Sequence, residues 1–262
     1  MTELKKNAGF SVAMIVLGEI KNDYRVIKIA ESLTELGLDV HIFGVSGDPS
    51  LSKQLTGNIG RIRTTLIPNI SFDVSDVSDL CDTWRYKKQS SMTILWPLIS
   101  QFNPDIIQTN DYDTLEIGSR IVGRLRKSGK QIKWVHDIHN YTRGMDFENK
   151  EKSRLARLDE EKHILSPDLL LTVSEKISSK LSGDYSLSDM PSVILNSPLR
   201  ESPMSGENTV RSTLGLSLKE KLIVYSGDVN HSTGLLAVVD AISMMDERVH
   251  LAIVSDCEKR FL

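Results

Sequence analysis

The sequence is organised around residues 105–140, DIIQTNDYDTLEIGSRIVGRLRKSGKQIKWVHDIHN. Two short apolar runs, DIIQT at 105–109 and QIKWV at 131–135, flank a segment whose apolar residues recur at helical spacing. This order predicts a strand, a helix and a second strand. Because such a crossover makes the two strands parallel, both strands end at the same carboxyl edge of one sheet. Open α/β sheets bind their ligands at that edge.

Polar residues follow both predicted strands, and we expect the active site among them. They are Asn110, Asp111 and Asp113 after the first strand, and His136, Asp137, His139 and Asn140 after the second. Asp113 begins an Asp-Thr-Leu-Glu run that fits a capping box at the start of the helix, so its predicted role is structural. His136 is expected to pack or to face solvent. The other five residues are candidates for contact with a ligand.

The segment that precedes this region shows the same alternation of strand and helix. SVAMIVL at 11–17 and DVHIFGV at 39–45 predict two buried strands. The helix between them is expected to be capped by Asn22 or Asp23 and to end at Gly37. These residues therefore predict one complete βαβ unit.

The remaining segments extend the alternation. A loop is expected at 47–60. Strands are predicted at 62–67, 168–173 and 192–196, and helices at 79–102, at 147–165 and after Ser174, which is expected to cap its helix. Together these elements indicate the α/β class, with a doubly wound, mostly parallel, Rossmann-like sheet.

Residues 200–210, RESPMSGENTV, interrupt the pattern with proline, glycine and polar residues, which indicates a linker between domains. The linker would join a Rossmann-like domain at 1–199 to a second unit at 211–262. In the second unit, LIVYSG, a helix at 235–245 and HLAIVSD predict one further βαβ motif. One motif of this length is too short to bury a core of its own, so an incomplete domain is expected.

The composition excludes several classes of function. Of 262 residues, 40% are hydrophobic and 26% are charged, and the formal net charge of −3 argues against a general nucleic-acid binder. Cys81 and Cys257 show neither metal-ligand nor redox spacing. No secretory segment follows Met1, and no apolar run approaches the roughly 20 residues that span a bilayer. A cytoplasmic protein is therefore expected.

Several motifs resemble those of the family 4 retaining glycosyltransferases, which have the GT-B fold of two facing Rossmann-like domains. NDYRVIKIAESLTELGLDV at 22–40 is similar to the family's first helix, and PDIIQTNDYDTLEIG at 104–118 to its Pro-Asp-Val-Ile-His-Ala-His-Asp pattern. WVHDIHN at 134–140 is similar to its Tyr-Asp-Ala-His-Glu segment, and LIVYSGDVNHSTGLLAVVDAI at 222–242 to the start of its donor domain. In order and spacing, the resemblance covers about residues 10–256.

The resemblance implies transfer of a sugar from a nucleotide sugar, used as co-substrate, to a glycan or lipid-linked acceptor. It further implies retention of configuration and no required metal or cofactor. Catalytic roles are expected for His139 and Asp111. Substrate contacts are expected at Arg25, Asn110, Asp137, Asn140 and Ser174, and contacts with the donor phosphates at Gly227 and Gly234. For Arg25, a solvated charge on the first helix explains the residue equally well.

The second unit departs from the family pattern at two positions. The family usually carries two cations that hold the nucleotide diphosphate, and Asp228 and Thr233 stand in their place. A carboxylate repels a diphosphate, whereas Gly227 and Gly234 still allow backbone N–H groups to approach it. The segment that would hold the donor sugar and the ribose is expected beyond Leu262.

Two further possibilities stay open at this point: a non-catalytic role, and a peripheral contact with a membrane. A truncated, non-catalytic homologue would bind a glycan or a partner subunit, including a partner chain that supplies the rest of the donor domain. A basic run at 120–133 would suit a peripheral contact with anionic lipid at the inner face of a membrane, although cations near a helix C-terminus are favourable in any case. A dinucleotide enzyme is disfavoured because the loop at Gly18 lacks the G-x-G-x-x-G pattern.

Overall fold

The computed structural model describes residues 9–46, 48, 50–68, 80–145, 147, 149–197, 209–227, 229 and 233–255, without the side chains of 80–87. The chain divides into two compact units, Met1–Ser197 and Pro198–Leu262. Most of the linker predicted at 200–210 lies outside the described residues, so the predicted domain boundaries stay predictions.

In its described part, the first unit alternates strands and helices. Its strands are β1 (Ser11–Ile15), β2 (Asp39–Val45), β3 (Leu55–Ile59), β4 (Ile62–Ile67), β5 (Ile106–Asn110), β6 (Lys133–Ile138), β7 (Leu169–Thr172) and β8 (Ser192–Val193). Its helices are α1 (Tyr24–Glu35), α2 (Leu80–Phe102), α3 (Leu115–Lys127), α4 (Lys150–His163) and α5 (Glu175–Tyr185), with short 3₁₀ turns at Ile20–Asn22 and Thr142–Gly144.

The strands form one sheet in the order β3-β4-β2-β1-β5-β6-β7-β8. The pair β3–β4 is antiparallel, and the other neighbouring pairs are parallel. The chain runs from β1 outward to β2 and β4 and then returns to β5 on the other side of β1, so the strand order reverses between β1 and β5. A crevice outside the carboxyl ends of the strands at such a reversal is where doubly wound sheets bind ligands. The predicted α/β class with a mostly parallel sheet is confirmed.

Strand β1 is buried on both faces, as expected for a continuous apolar run in a parallel sheet. Val12 and Met14 belong to a core cluster that includes residues of α1, whereas Ala13 and Ile15 belong to a second cluster with residues of α2 and α3. Successive side chains of a strand point to opposite faces, so β1 contributes to both core layers. The sheet is therefore covered on both sides.

Helix α3 approaches the sheet closely at Gly118. A Cβ atom at this position would lie 2.6 Å from Cγ2 of Thr109 and 2.8 Å from Cζ2 of Trp134, which is closer than side chains tolerate. Trp134 is 1% exposed, and its indole N–H donates to Oγ1 of Thr109 over 2.9 Å. The glycine therefore lets α3 pack directly on β5 and β6, the two strands that lead into the predicted site.

The predicted helix ends are confirmed at several positions. Asp23 caps α1, since its carboxylate accepts from the backbone N–H of Val26 over 3.0 Å. Gly37 follows the last turn of α1 with φ of 88°, a conformation that suits glycine. Ser174 caps α5 by accepting from the backbone N–H of Ile177 over 3.3 Å.

Two predictions in the outer parts of the sheet are wrong. The loop predicted at 47–60 contains β3, which pairs with β4 across a tight turn at Gly60. Its sequence, LTGNI, lies exposed at the sheet edge and lacks the apolar alternation that marks a strand. The strand predicted at 192–196 is limited to Ser192–Val193. The helix predicted at 147–165 is present as α4 but is shorter at both ends, Lys150–His163.

Two further corrections concern the predicted site. Strand β6 continues to Ile138, so His136 and Asp137 lie within the strand instead of in the loop after it. Both are buried, because β6 is paired on both sides and their polar atoms have partners in the protein interior. Helix α3 has Thr114 as its N-cap, not Asp113. The Thr114 hydroxyl instead donates to the carbonyl oxygens of Asn110 and Asp111 over 2.8 and 3.0 Å.

The second unit contains α6 (Val210–Thr213), β9 (Lys221–Ser226), α7 (Leu235–Ser243) and β10 (Val249–Val254) in its described part. The two strands are parallel, with α7 between them in sequence, which agrees with the predicted βαβ motif. Several large apolar side chains of this unit are exposed: Ile223, Val224, Leu236, Val238, Val239, Met244, Met245 and Val254. A two-stranded sheet with one crossover helix leaves apolar surface uncovered.

None of the helices in the described part of the chain is long and apolar enough to cross a membrane.

Candidate functional site

The candidate site lies where β1, β5 and β6 end, at the reversal of the strand order. A pocket of about 350 Å³ opens there. It is lined by Glu19, Asn22, Asp23, Tyr24, Arg25, His139 and Asn196. Its walls come from the loop after β1, the start of α1, the loop after β6 and the segment after β8. Residues far apart in sequence therefore meet at one edge of the sheet.

A buried ion pair forms the floor of this pocket. The guanidinium of Arg25 donates through Nε to Oδ2 of Asp137 over 2.9 Å and through Nη2 to Oδ1 over 2.8 Å. The two side chains are 2% and 0% exposed. Arg25 also donates through Nη1 to the carbonyl oxygen of Ile194 over 2.6 Å. The pair therefore fixes α1 to β6 and to the segment after β8.

His139 stands beside this ion pair. Its Nε2 lies 3.5 Å from Oδ2 of Asp137, which is long for a hydrogen bond, so the attraction between the two groups is mainly electrostatic. This nitrogen is buried and has no hydrogen-bond partner among the described residues. The side chain as a whole is 17% exposed. His139 is thus held in place through Nε2, whereas its side chain stays partly exposed to the pocket.

Asp111 reaches the site from the end of β5. Its φ of 65° lies in the left-handed region, which is unusual for a residue other than glycine. The backbone N–H of Asp111 donates to the carbonyl oxygen of Asp137 over 2.8 Å, and this bond holds the turn against β6. The carboxylate accepts from the Tyr112 N–H over 3.0 Å and from the Asn140 amide over 3.1 Å. The strained turn therefore places the carboxylate beside the loop that carries His139.

The charges of the site shift the pKa values of its members. Burial raises the pKa of the Asp111 carboxyl above its usual range, although the charge of His139 and two hydrogen bonds oppose the shift. Burial also opposes ionisation of Asp137, but His139 and Arg25 outweigh it and hold the pKa of that carboxyl below its usual range. Asp111 and Asp137 therefore differ in the ease with which they accept a proton.

The pKa of His139 is raised above its ordinary value of 6.5. Burial by itself would lower it, but the contact with Asp137 and the negative charges of Asp111 and Asp23 together outweigh burial. A protonated imidazole donates hydrogen bonds and stabilises negative charge, whereas a neutral one also accepts a proton. The site can therefore bind a hydroxyl group and stabilise charge that develops on an oxygen atom.

A second buried network supports the loop that carries His139. The hydroxyl of Thr142 donates to Oε1 of Glu160 over 2.9 Å, and the hydroxyl of Tyr185 donates to Oε2 over 2.5 Å. Burial raises the pKa of Glu160 above its usual range, although both hydrogen bonds oppose the shift. Because Thr142 follows Asn140 by two residues, this network anchors the end of the loop after β6 to α4 and α5.

Other polar residues of the two strands brace the sheet. The side chain of Asn110 is 2% exposed, accepts from the Gln108 amide over 3.0 Å and donates to the carbonyl oxygen of Ile15 over 3.0 Å. His136 is 1% exposed, and its Nδ1 lies 2.8 Å from Oγ1 of Thr109. Burial lowers the pKa of His136 to about 3, so its imidazole is neutral at physiological pH.

The structure brings together most of the candidates predicted in the first unit but changes the roles of several. Arg25 and Asp137 are almost fully buried and paired with each other, so Arg25 is not a solvated helix charge and its guanidinium donors are already bonded within the protein. Asn110 links β5 to β1, and Ser174 caps α5. Asn140 is exposed and bonded to Asp111. These four buried or capping residues brace the site, His139 lines its pocket, and Asp111 and Asn140 lie bonded to each other beside it.

The remaining two candidates, Gly227 and Gly234, lie in the second unit. Their φ values are 148° and 67°, and Gly234 is the N-cap of α7, without a side-chain cap. The Gly227 N–H donates to the carbonyl oxygen of Val254 over 3.1 Å, so this particular N–H is already occupied. Asp228 lies outside the described residues.

Sequence reasoning did not identify two contributors to the site. Asp23 was expected only as a helix cap, but its charge also raises the pKa of His139. Glu160 lies within a highly charged helix, and nothing in the local pattern marks it as buried. In both cases the relevant neighbour is distant in sequence, so a local pattern carries no signal. Within the described part of the chain, no cluster of three or more His, Cys, Asp or Glu residues is arranged to hold a metal ion.

Comparison with known proteins defines the class of fold. Neither a family model nor a curated protein matches the sequence. Among solved structures, a sucrose-phosphate synthase from Thermosynechococcus elongatus matches 96% of this chain and 64% of its own, with a TM-score of 0.68 and 15% identity. HepE from Anabaena, solved in complex with UDP and glucose, matches 94% of this chain and 61% of its own, with a TM-score of 0.59 and 13% identity.

A third structure is similar over nearly the whole chain. An α,α-trehalose-phosphate synthase (UDP-forming) from Burkholderia vietnamiensis matches 97% of this chain and 66% of its own, with a TM-score of 0.54 and 9% identity. These structures are GT-B glycosyltransferases, and the likeness shows that this chain has the GT-B fold. The chain spans less than two thirds of the length of each of the three.

The raised pKa of His139 makes the stability of the first unit dependent on pH. A histidine whose pKa is higher in the folded state stabilises the fold fully below its unfolded pKa, and this contribution is lost as pH rises through the folded value. We therefore expect the stability advantage of the wild type over His139→Gln to shrink as pH rises above about 6.5. Urea titrations followed by tryptophan fluorescence test this, because Trp84, Trp96 and Trp134 all lie in the first unit. An advantage that is constant from pH 5 to 9 would refute the assigned shift.

Proposed function

We propose that the protein transfers a sugar from a nucleotide sugar to a glycan or lipid-linked acceptor, with retention of configuration and without a required metal. One observation carries the proposal: His139, held by the buried carboxylate of Asp137, lines the pocket at the strand reversal of the sheet, beside the charge of Asp111. The resemblance of the surrounding motifs to family 4 glycosyltransferases supports the same reaction. The three matching structures described above are nucleotide-sugar glycosyltransferases.

In this proposal, His139 binds a hydroxyl group of the reacting sugar and stabilises charge in the transition state. Asp111 and Asn140 bind acceptor hydroxyl groups, since a carboxylate accepts and an amide both donates and accepts hydrogen bonds. Arg25 and Asp137 act as positioning residues, because Arg25 fixes the carboxylate of Asp137 and this carboxylate attracts the imidazole of His139.

The second unit is proposed to bind the donor. Gly227 and Gly234 follow β9 and precede α7, in the place where the backbone of a Rossmann-like unit approaches a phosphate. The first N–H groups of α7 lack a side-chain cap and are oriented to meet an anion. This arrangement would compensate in part for the absence of the two cations that the family pattern carries.

We propose the domain organisation in the same terms. Residues 1–199 form the acceptor-side domain, 200–210 a linker, and 211–262 an incomplete donor-side domain. The exposed apolar side chains of the second unit, such as Leu236 and Met244 at 73% and 86% exposure, would be covered by the rest of a donor domain. The rest of the donor domain would be supplied by further sequence or by a partner chain. The proposed location of the protein is the cytoplasm.

Calorimetric titration with UDP-, GDP- and ADP-sugars tests the proposal. We expect saturable binding of at least one nucleotide sugar by the 262-residue chain. His139→Ala should weaken binding of that nucleotide sugar while leaving binding of the corresponding free nucleotide unchanged, because the imidazole contacts the sugar. His163→Ala is a matched control, since His163 lies at the far end of α4.

Two results would contradict the proposal. If none of the nucleotide sugars binds, the chain is better explained as a non-catalytic homologue that binds a glycan or a partner subunit. If His139→Ala and His163→Ala weaken binding equally, His139 has no specific contact with the donor sugar.

A further inference from the structure

A second pocket, of about 520 Å³, extends along α4 next to the candidate site. Helix α4 follows the loop after β6, so its first turns lie at the same carboxyl edge of the sheet as His139. One lining residue of the pocket contacts the segment that carries Asp111, because the ring of Phe147 packs edge-on against Tyr112 with centroids 5.6 Å apart. Tyr112 follows Asp111 directly. A ligand in this pocket would therefore extend towards the residues that line the candidate site.

The wall formed by α4 is rich in positive charge. Lys150, Arg154 and Arg157 line the pocket at intervals of four and three residues, which places them on one face of the helix. The ammonium of Lys150 has no hydrogen-bond or ion-pair partner among the described residues. Arg157 makes a single long hydrogen bond there, from Nη2 to the carbonyl oxygen of Arg143 over 3.4 Å. Two cations thus keep most of their donors available.

Two carboxylates among the described residues near these cations are paired. Glu161, which also lines the pocket, accepts from Nη2 of Arg143 over 3.0 Å. Arg154 is paired with Glu151, with Nε and Nη2 donating over 2.9 and 2.5 Å. Among the described lining residues, Lys150, Arg154 and Arg157 outnumber Glu161, and the least compensated positive charge is on Lys150 and Arg157.

The rest of the lining includes apolar side chains. Met145 and Phe147 come from the segment before α4, and Leu158, which is 46% exposed, comes from α4 itself. A pocket that combines two available cations with apolar side chains fits an anion that is attached to an apolar group or to a sugar. A guanidinium and an ammonium are the groups that most often bind phosphate.

We propose that this pocket binds a phosphate group of the acceptor through Lys150 and Arg157, with the adjoining part of the acceptor packed on Phe147. The inference rests on the proposed glycosyl transfer and specifies its acceptor class as a phosphate ester. The phosphate belongs either to a soluble sugar phosphate or to a lipid headgroup, since both present the same group to the two cations.

Binding of two probes distinguishes these sources. Glucose 6-phosphate is titrated calorimetrically as a soluble ester, and cosedimentation is measured with vesicles of phosphatidylcholine and phosphatidylglycerol in equal amounts, against pure phosphatidylcholine. We expect Lys150→Gln/Arg157→Gln to weaken binding of at least one probe by about tenfold or more, because two ionic contacts are lost. Lys162→Gln, an exposed cation on the same helix outside the pocket, should leave binding unchanged.

The outcomes are decisive in both directions. A loss confined to glucose 6-phosphate assigns a soluble acceptor, and a loss confined to anionic vesicles assigns a lipid-linked acceptor. If neither probe binds the wild type, or if Lys162→Gln weakens binding as much as the double variant does, the inference is wrong. Higher salt should weaken the binding, since ionic contacts at a surface are screened.

A separate titration keeps this inference distinguishable from the proposed function. The double variant should bind UDP-, GDP- or ADP-sugars as the wild type does, because both residues belong to the first unit, whereas the proposed donor loop belongs to the second. If the wild type binds phosphate esters at α4 but no nucleotide sugar, the proposed transfer fails while the anion site stands. The reverse result overturns the anion site alone.

Discussion

Replacing Arg25 by alanine is expected to destabilise the first unit by about 3–5 kcal/mol, because the variant leaves the carboxylate of Asp137 buried without its ionic partner. The side chains of the pair are 2% and 0% exposed, so water cannot take the place of the guanidinium at low cost. The same change removes the hydrogen bond to the carbonyl oxygen of Ile194. The free energy of unfolding of the first unit is measured by urea titration with tryptophan fluorescence.

Arg63→Ala is the matched control for this measurement. Arg63 also pairs with an aspartate, Asp39, but the two side chains are 45% and 57% exposed. Exposed ion pairs contribute at most about 1 kcal/mol, so this variant should lose much less stability. The double variant Arg25→Met/Asp137→Leu should recover most of the loss, because it leaves no buried charge without a partner. Equal losses for Arg25→Ala and Arg63→Ala would show that the buried pair has no special energetic role.

Replacing His139 by alanine is expected to lower the turnover number about 10²- to 10³-fold without unfolding the protein. The imidazole is the one group of the proposed catalytic pair that both donates a hydrogen bond and changes its charge near neutral pH. Loss of one such donor to a developing charge in an enzyme typically costs a factor of this size. The reaction is followed by release of free nucleotide from the nucleotide sugar that binds in the calorimetric screen.

Whether the variant changes kcat or only KM decides how this result is interpreted. A transition-state contact lowers kcat and kcat/KM together, whereas a contact that binds substrate and transition state equally raises KM alone. His163→Ala, which removes a histidine from the far end of α4, should leave both constants unchanged. If His139→Ala only raises KM, His139 binds the substrate without acting in the chemical step, and Asp111 becomes the principal candidate.

The local patterns of the sequence determine the elements of the fold. Helical spacing of apolar residues predicts α1 and α3, and continuous apolar runs predict β1, β2, β5 and β7, because burial of one face or of both faces is a property of the local segment. Caps are determined in the same way, since Asp23 and Ser174 bond to N–H groups only three residues away. Strand β3 was missed because its exposed edge position requires no apolar pattern.

The candidate site is determined only in part by these patterns. The order of the elements indicates that Asp111 and His139 lie at one edge of the sheet, because parallel strands end there together. The extent of β6 was underestimated, since a strand paired on both sides can bury polar residues such as His136 and Asp137 when their partners are supplied by other segments. A pattern of apolar residues contains no information on those partners.

Only the tertiary structure decides the roles of the charged residues. Arg25 and Asp137 are separated by 112 positions, and Thr142 and Glu160 by 18, so neither pair is visible in a local segment. Sequence by itself determines which segments bury apolar surface, and thus the α/β class and the edge of the sheet that carries polar residues. Whether a polar residue binds a ligand or braces the interior depends on the groups that the folded chain places around it, because a buried charge is stable only beside a partner.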